Sequence, residues 1–261
     1  MTTTSEGLSP LHLPGGRGWR AACHHTPPGA TRAAVLICAP PGPESDRTHR
    51  ALRQLAQRLA ADGAHVLRFD WTGTGDSAGD FAEVRADDWR TDAVDALAEL
   101  LARSGQRRAT VIGLRLGATL ALDALGAHPA VATIIAWEPV LDGAEQLRQW
   151  STAQRTFCLP FGFAVSERPI AGLTVVDEAL GYPLADALVR DLAALAIAPP
   201  RCRLVVVADQ PEALTAQAQR LGAGAARRLP CPPLWRQEPS ESVVPAEAVR
   251  GLAALVAEVQ P

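Results

Sequence analysis

Thr110-Val-Ile-Gly-Leu-Arg115-Leu-Gly-Ala-Thr-Leu-Ala121 runs an apolar strand into a Gly113-x-x-x-Gly117 turn and out through an apolar helix. A strand without polar interruption fits a parallel sheet buried on both faces. Glycine at each end of so short a turn lets the backbone fold tightly and raises the side chain at its apex, Arg115, above the strand end. Ligands of open α/β sheets bind at those strand ends.

Outward from this segment the same alternation repeats. Upstream, residues 18–23 read as a short strand and Ala33-Ala-Val-Leu-Ile-Cys38 as a buried one, stopped by Pro40-Pro41-Gly42. Leu52, Leu55 and Leu59 at helical spacing predict a helix over 46–61, followed by a strand over 65–69 and a glycine-rich loop over 70–80. A helix over 89–102, the strand 109–113, a helix over 118–125 and a strand over 132–137 continue the pattern. Between 143 and about 199 strand signals disappear and the pattern reads as helical. A strand at 203–208, helices at 211–221 and 245–259 and a weak strand at 226–229 then resume the sheet. The expected architecture is α/β, a mostly parallel central sheet with helices on both faces. Residues 1–142 and 200–261 form its core, and 143–199 a small helical lid.

Composition narrows the chemistry. The chain has 261 residues and a formal net charge of −3, with neither lysine nor asparagine and with all six histidines at or before His128. Schiff-base lysine, P-loop lysine, N-glycosylation and a Cys-His-Asn triad are thereby excluded. Scattered arginines among acids give no basic face for nucleic acid. No apolar run approaches the length of a membrane span, and residues 1–22 lack the pattern of a signal peptide, so a cytoplasmic protein is expected. Five cysteines without CxxC spacing predict reduced thiols, with no disulfide framework and no metal site. No cofactor motif is present, and nothing in the residue pattern sets an oligomeric state.

The ordered series of motifs resembles the α/β-hydrolase superfamily, serine-aminopeptidase-like. It is similar in particular to exosortase A system-associated hydrolases of the second type, in which Gly-Leu-Arg-Leu-Gly is itself a familiar elbow. Ala39-Pro40-Pro41-Gly42-Pro43-Glu44 resembles that group's Pro-Pro-Phe-Ala-Glu-Glu loop, which in active hydrolases carries the oxyanion hole. Residues 69–81, Trp137-Glu138-Pro139-Val-Leu-Asp142-Gly143 and Gly181-Tyr182-Pro-Leu match further segments. The resemblance implies an α/β-hydrolase fold with its site beneath the lid.

Against that pattern the chain departs at two positions. Arg115 stands at the apex where a serine nucleophile is expected, and a guanidinium that stays protonated has no lone pair to offer. The histidine expected on the loop after the last strand, about residues 230–240, is absent, whereas Asp209 occupies the acid position. A Ser-His-Asp route is therefore not expected. Arg115 reads in three ways: as half of a buried pair with Glu44 or Asp209; as a fork holding a carboxylate, phosphate or carbonyl oxygen, with Glu44 or Asp209 moving a proton; or as a bystander to a nucleophile elsewhere. For that last reading Ser77, Cys38, Cys158 and Ser45 are better explained by turn bonding, core packing and helix capping, and His49 is the one stray base worth testing. His24-His25 point to opposite faces of a strand and so do not form a metal pair. Glu83, Asp87, Asp88, Asp92 and Asp95 read as a solvated helix face. The candidate site is thus Arg115, Asp209 and Glu44, with Pro41, Gly42, Leu116, Trp137 and Glu138 against a small anionic or carbonyl-bearing ligand, in a degenerate or accessory member of a biosynthetic system; the alternatives are a non-covalent hydrolase, lyase or isomerase using Arg115 with Glu44 or Asp209, and a protein-interaction scaffold. Trp71 and Trp235 also fall near strand ends.

Overall fold

The computed structural model describes residues 7–236 and 244–259. β1 (Leu8–Gly15) and β2 (Gly18–His25) form a hairpin, and β3 (Ala33–Cys38), α1 (Ser45–Ala61), β4 (Ala64–Phe69), α2 (Ala86–Ser104), β5 (Ala109–Leu114), α3 (Leu116–Leu125) and β6 (Val131–Trp137) follow. An insert of α4 (Gly143–Cys158), β7 (Glu167–Ile170), β8 (Leu173–Val176), β9 (Glu178–Ala179), β10 (Tyr182–Pro183) and α5 (Asp186–Ala193) precedes β11 (Arg203–Ala208), α6 (Pro211–Leu221), β12 (Ala225–Arg228) and α7 (Ala246–Val259).

Eight strands make one sheet in the order β1-β2-β4-β3-β5-β6-β11-β12, parallel from β4 onward and antiparallel at β1 and β2. The continuous apolar runs are explained by its two covered faces. Along β3, Leu36 and Cys38 join the core layer under α2 and α3, whereas Val35 and Ile37 join the layer under α1 and α7. Successive strand residues point to opposite faces, so both sets must be apolar.

Three expectations require correction. The first expected strand is 18–23, yet β1 precedes it: its backbone bonds pair it with β2, while only Leu13 along it is fully buried. The 143–199 segment is not simply helical, because β7–β8 and β9–β10 are antiparallel hairpins too short for a period-2 signal. Asp92 is not on a solvated face. It accepts from Arg20 Nη1 at 2.6 Å and from the Thr72 N–H and hydroxyl at 2.7 and 3.0 Å, fully buried between the N-terminal hairpin and α2. His24 and His25 are buried as well: His24 Nε2 lies 3.0 Å from His65 Nδ1, and His25 faces Arg68.

Among the described residues no helix is long and apolar enough to cross a membrane.

Candidate functional site

The turn between β5 and α3 is a strained elbow. Arg115 at its apex adopts φ 55°, ψ −127°, outside the regions that L side chains favour. Its N–H donates to Trp137 O at 2.9 Å, fixing the turn to the end of β6. The bounding glycines are sterically required. A Cβ on Gly113 would lie 2.3 Å from Ala118 Cα, and one on Gly117 would lie 2.3 Å from Ala39 O. The second close approach brings the elbow against the 39–44 loop.

From this apex the guanidinium meets a carboxylate of that loop. Arg115 Nε and Nη2 donate to the two Glu44 carboxylate oxygens at 3.3 and 3.4 Å, with both side chains under a tenth exposed. Gln149 Oε1 also accepts from Nη2. The Trp235 ring lies 4.7 Å from Arg115 Cζ, a cation–π contact. Gln146, fully buried on α4, donates to Glu44 Oε1 at 3.0 Å. A charge taken out of water needs this kind of enclosure by opposite charge and hydrogen bonds.

Asp209 is not part of this cluster. Its Oδ2 accepts from Gln210 Nε2 at 3.0 Å and its Oδ1 lies 3.6 Å from Arg228 Nη2. Its own N–H donates to Glu138 Oε1 at 2.7 Å. Glu138, with φ 46°, thereby ties the end of β6 to that of β11, and burial raises its carboxyl above the ordinary range despite this bond and nearby Arg115.

Two cavities flank the Arg115–Glu44 pair. The larger, about 750 Å³, includes Glu44 with Trp150, Phe157, Phe161, Leu180 and Trp235 in its wall. The smaller, about 250 Å³, includes Arg115, Asp142, Gln217 and Arg220. Glu145 and Gln149 line both. Leu116 and Trp137, expected against the ligand, are instead fully buried in the two core layers. Pro41, Gly42 and Glu138 line neither cavity, and Gly42 packs toward Trp150 and Phe81. Sequence reading missed Gln146 and Gln149. Gln149 lies three residues past Gln146 and four past Glu145 along α4, and that spacing is the signal that would have found them, since residues three and four apart share a helix face.

Other candidates lie apart. Cys38 is buried, which raises its thiol far above the ordinary range, and Ser77 Oγ donates to Asp70 O at 2.7 Å within its loop. His49 shares a pocket of about 20 Å³ with Ser45 and Asp70, too small for a substrate. Part of the loop expected to hold a histidine, residues 237–240, lies outside the described residues. Among the described residues no group of three or more His, Cys, Asp or Glu could hold a metal ion.

An eight-stranded, mostly parallel sheet with an elbow after β5 and an insert after β6 is the α/β-hydrolase fold. The chain belongs to the family described as serine aminopeptidase, S33, whose model matches residues 29–165. Among solved structures it is similar to an α/β serine hydrolase without lid from Xanthomonas campestris, at 16% identity and TM-score 0.59, over 99% of this chain and 96% of that one. It is also similar to the esterase domain of a Rhodothermus marinus protein, at 20% identity and TM-score 0.64, over 96% and 98%. A proline iminopeptidase-related protein from Thermus thermophilus matches at 18% identity and TM-score 0.61, over 97% and 96%. No curated protein matches the chain.

Proposed function

We propose that this family member does not perform serine acyl transfer. In this reading it binds a small anionic or carbonyl-bearing molecule at Arg115, under a lid made by residues 143–199. The observation that carries the proposal is the elbow itself: the position that presents a nucleophile holds a guanidinium, paired with Glu44 and backed by Trp235. A guanidinium cannot attack a carbonyl, but its planar fork is well suited to hold a carboxylate, phosphate or carbonyl oxygen. Its Glu44 contacts are long for charge-assisted bonds, so an incoming oxygen competes for Nη2 chiefly against Gln149. The similarity of the motifs to exosortase-associated hydrolases supports an accessory role in a biosynthetic system.

An acid–base enzyme using Arg115, Glu44 and Asp209 together gains less support, because Asp209 is engaged with Gln210 and Arg228.

The test is a fluorophosphonate probe applied to the wild type and to Arg115→Ser. The proposal expects no labelling of either, since the serine variant gains a hydroxyl but no histidine to activate it. Covalent labelling of the wild type at any serine, with turnover of an ester, overturns it.

A further inference from the structure

The two cavities meet at Glu145 and Gln149. Gln149 accepts from Arg115 Nη2 on one side, donates to Glu145 Oε1 at 3.0 Å on the other, and lines both spaces. It is half-buried on α4, where a rotamer change requires no backbone movement.

The two compartments differ in chemistry. Trp150, Phe157, Phe161 and Leu180 give the large cavity an aromatic and aliphatic wall, and its volume of about 750 Å³ is in the range that accommodates a ligand of moderate size. The small cavity has Arg115 and Arg220 facing it. Arg220 donates to the Leu141 carbonyl at 3.1 Å and, among the described residues, has no carboxylate within ion-pair distance. Among the described residues the two linings hold three carboxylates, Glu44, Asp142 and Glu145. Each carboxylate is already engaged: Glu44 with Arg115, Glu145 with Arg148 at 2.9 Å, and Asp142 as the cap of α4. None of the three is paired with Arg220.

We infer that the ligand is an amphipathic anion, its head between Arg115 and Arg220 and its hydrocarbon tail against Trp150, Phe157 and Phe161, with Gln149 as the gate between them. This rests on the reading of Arg115 as the anion-holding group and adds the tail, the second arginine and the gate. Head binding exchanges the neutral Gln149 acceptor on Nη2 for an anionic one, and the tail leaves water for an apolar wall.

Titration calorimetry of the full chain with decanoate, acetate and decan-1-ol tests it. Decanoate is expected to bind more tightly than acetate by about 100-fold or more, because part of its eight further methylenes leaves water, and about tenfold more tightly than decanol. Gln149→Ala should tighten decanoate severalfold by opening the gate. Arg220→Gln should remove the preference over decanol, and Phe157→Ser should weaken decanoate about tenfold with acetate unchanged. Equal binding of acetate and decanoate, both lost in Arg220→Gln, overturns the tail site and leaves the anion reading standing. Decanoate binding unchanged in both Arg220→Gln and Arg115→Gln overturns the head site and the reading of Arg115 with it.

Discussion

Arg115 is held by contacts that are individually modest and jointly restrictive. Its removal leaves the buried Glu44 carboxylate without its cation and with Gln146 still donating to it, so Arg115→Ala should lower unfolding free energy by about 3–5 kcal/mol in urea titration. The double variant Arg115→Gln/Glu44→Gln removes both charges and should recover much of that loss. Recovery no better than the single variant would show that the pair's charge is not what the site depends on. Gly117→Ala is a separate case, because its Cβ would meet the Ala39 carbonyl at 2.3 Å. It should cost several kcal/mol or prevent folding, measured as a loss of cooperative thermal unfolding. At this scale the Arg115 and Gly117 requirements are legible in the order of residues, since a turn bounded by glycines leaves one apex position. The partner of Arg115 is not legible, because Glu44 and Asp209 each sit at a strand end and only the approach of the 39–44 loop decides between them.

Elements were legible where burial gives a period and obscure where it does not. β11 and α6 run over the residues the pattern predicts, and the helix expected over 89–102 extends to Ala86–Ser104. That start is set by the Asp88 carboxylate accepting from Arg85 N–H at 2.8 Å, a local bond that an apolar count does not register. The hairpins of the insert and β1 have no such period, being short or at the sheet edge. β2 also makes a pH-sensitive element. Burial lowers His24 to about 4, with His65 adding to it, and lowers His25 to about 4, with Arg68 adding. Both pKa values are depressed in the fold, so the stability they contribute is present above the ordinary histidine value of 6.5 and is lost as pH falls toward about 4. The melting temperature should therefore fall across that interval, and the fall should be shallower in His24→Gln. An unchanged slope in that variant would assign the acid sensitivity to other groups.

Over the whole molecule, the buried Arg20–Asp92 pair fastens the β1–β2 hairpin to α2, and Asp95 adds a second carboxylate at 2.8 Å. Asp92→Ala should destabilise by about 3–5 kcal/mol, read as a lowered denaturant midpoint, because it also strands the Thr72 N–H. A shift no larger than that of an exposed control such as Asp87→Ala would contradict this role. The sequence by itself determined the parallel sheet, the elbow with arginine at its apex, and the missing histidine, since covered sheets demand continuous apolar strands and catalysis demands particular residue types. Only the tertiary structure decided that Glu44 rather than Asp209 meets Arg115, that Leu116 and Trp137 belong to the core, and that Gln146, Gln149 and Trp235 enclose the pair. Those relations join residues from 34 to 120 positions apart or from different faces of the sheet, and their distances are set by packing of the insert and loops that no local pattern encodes.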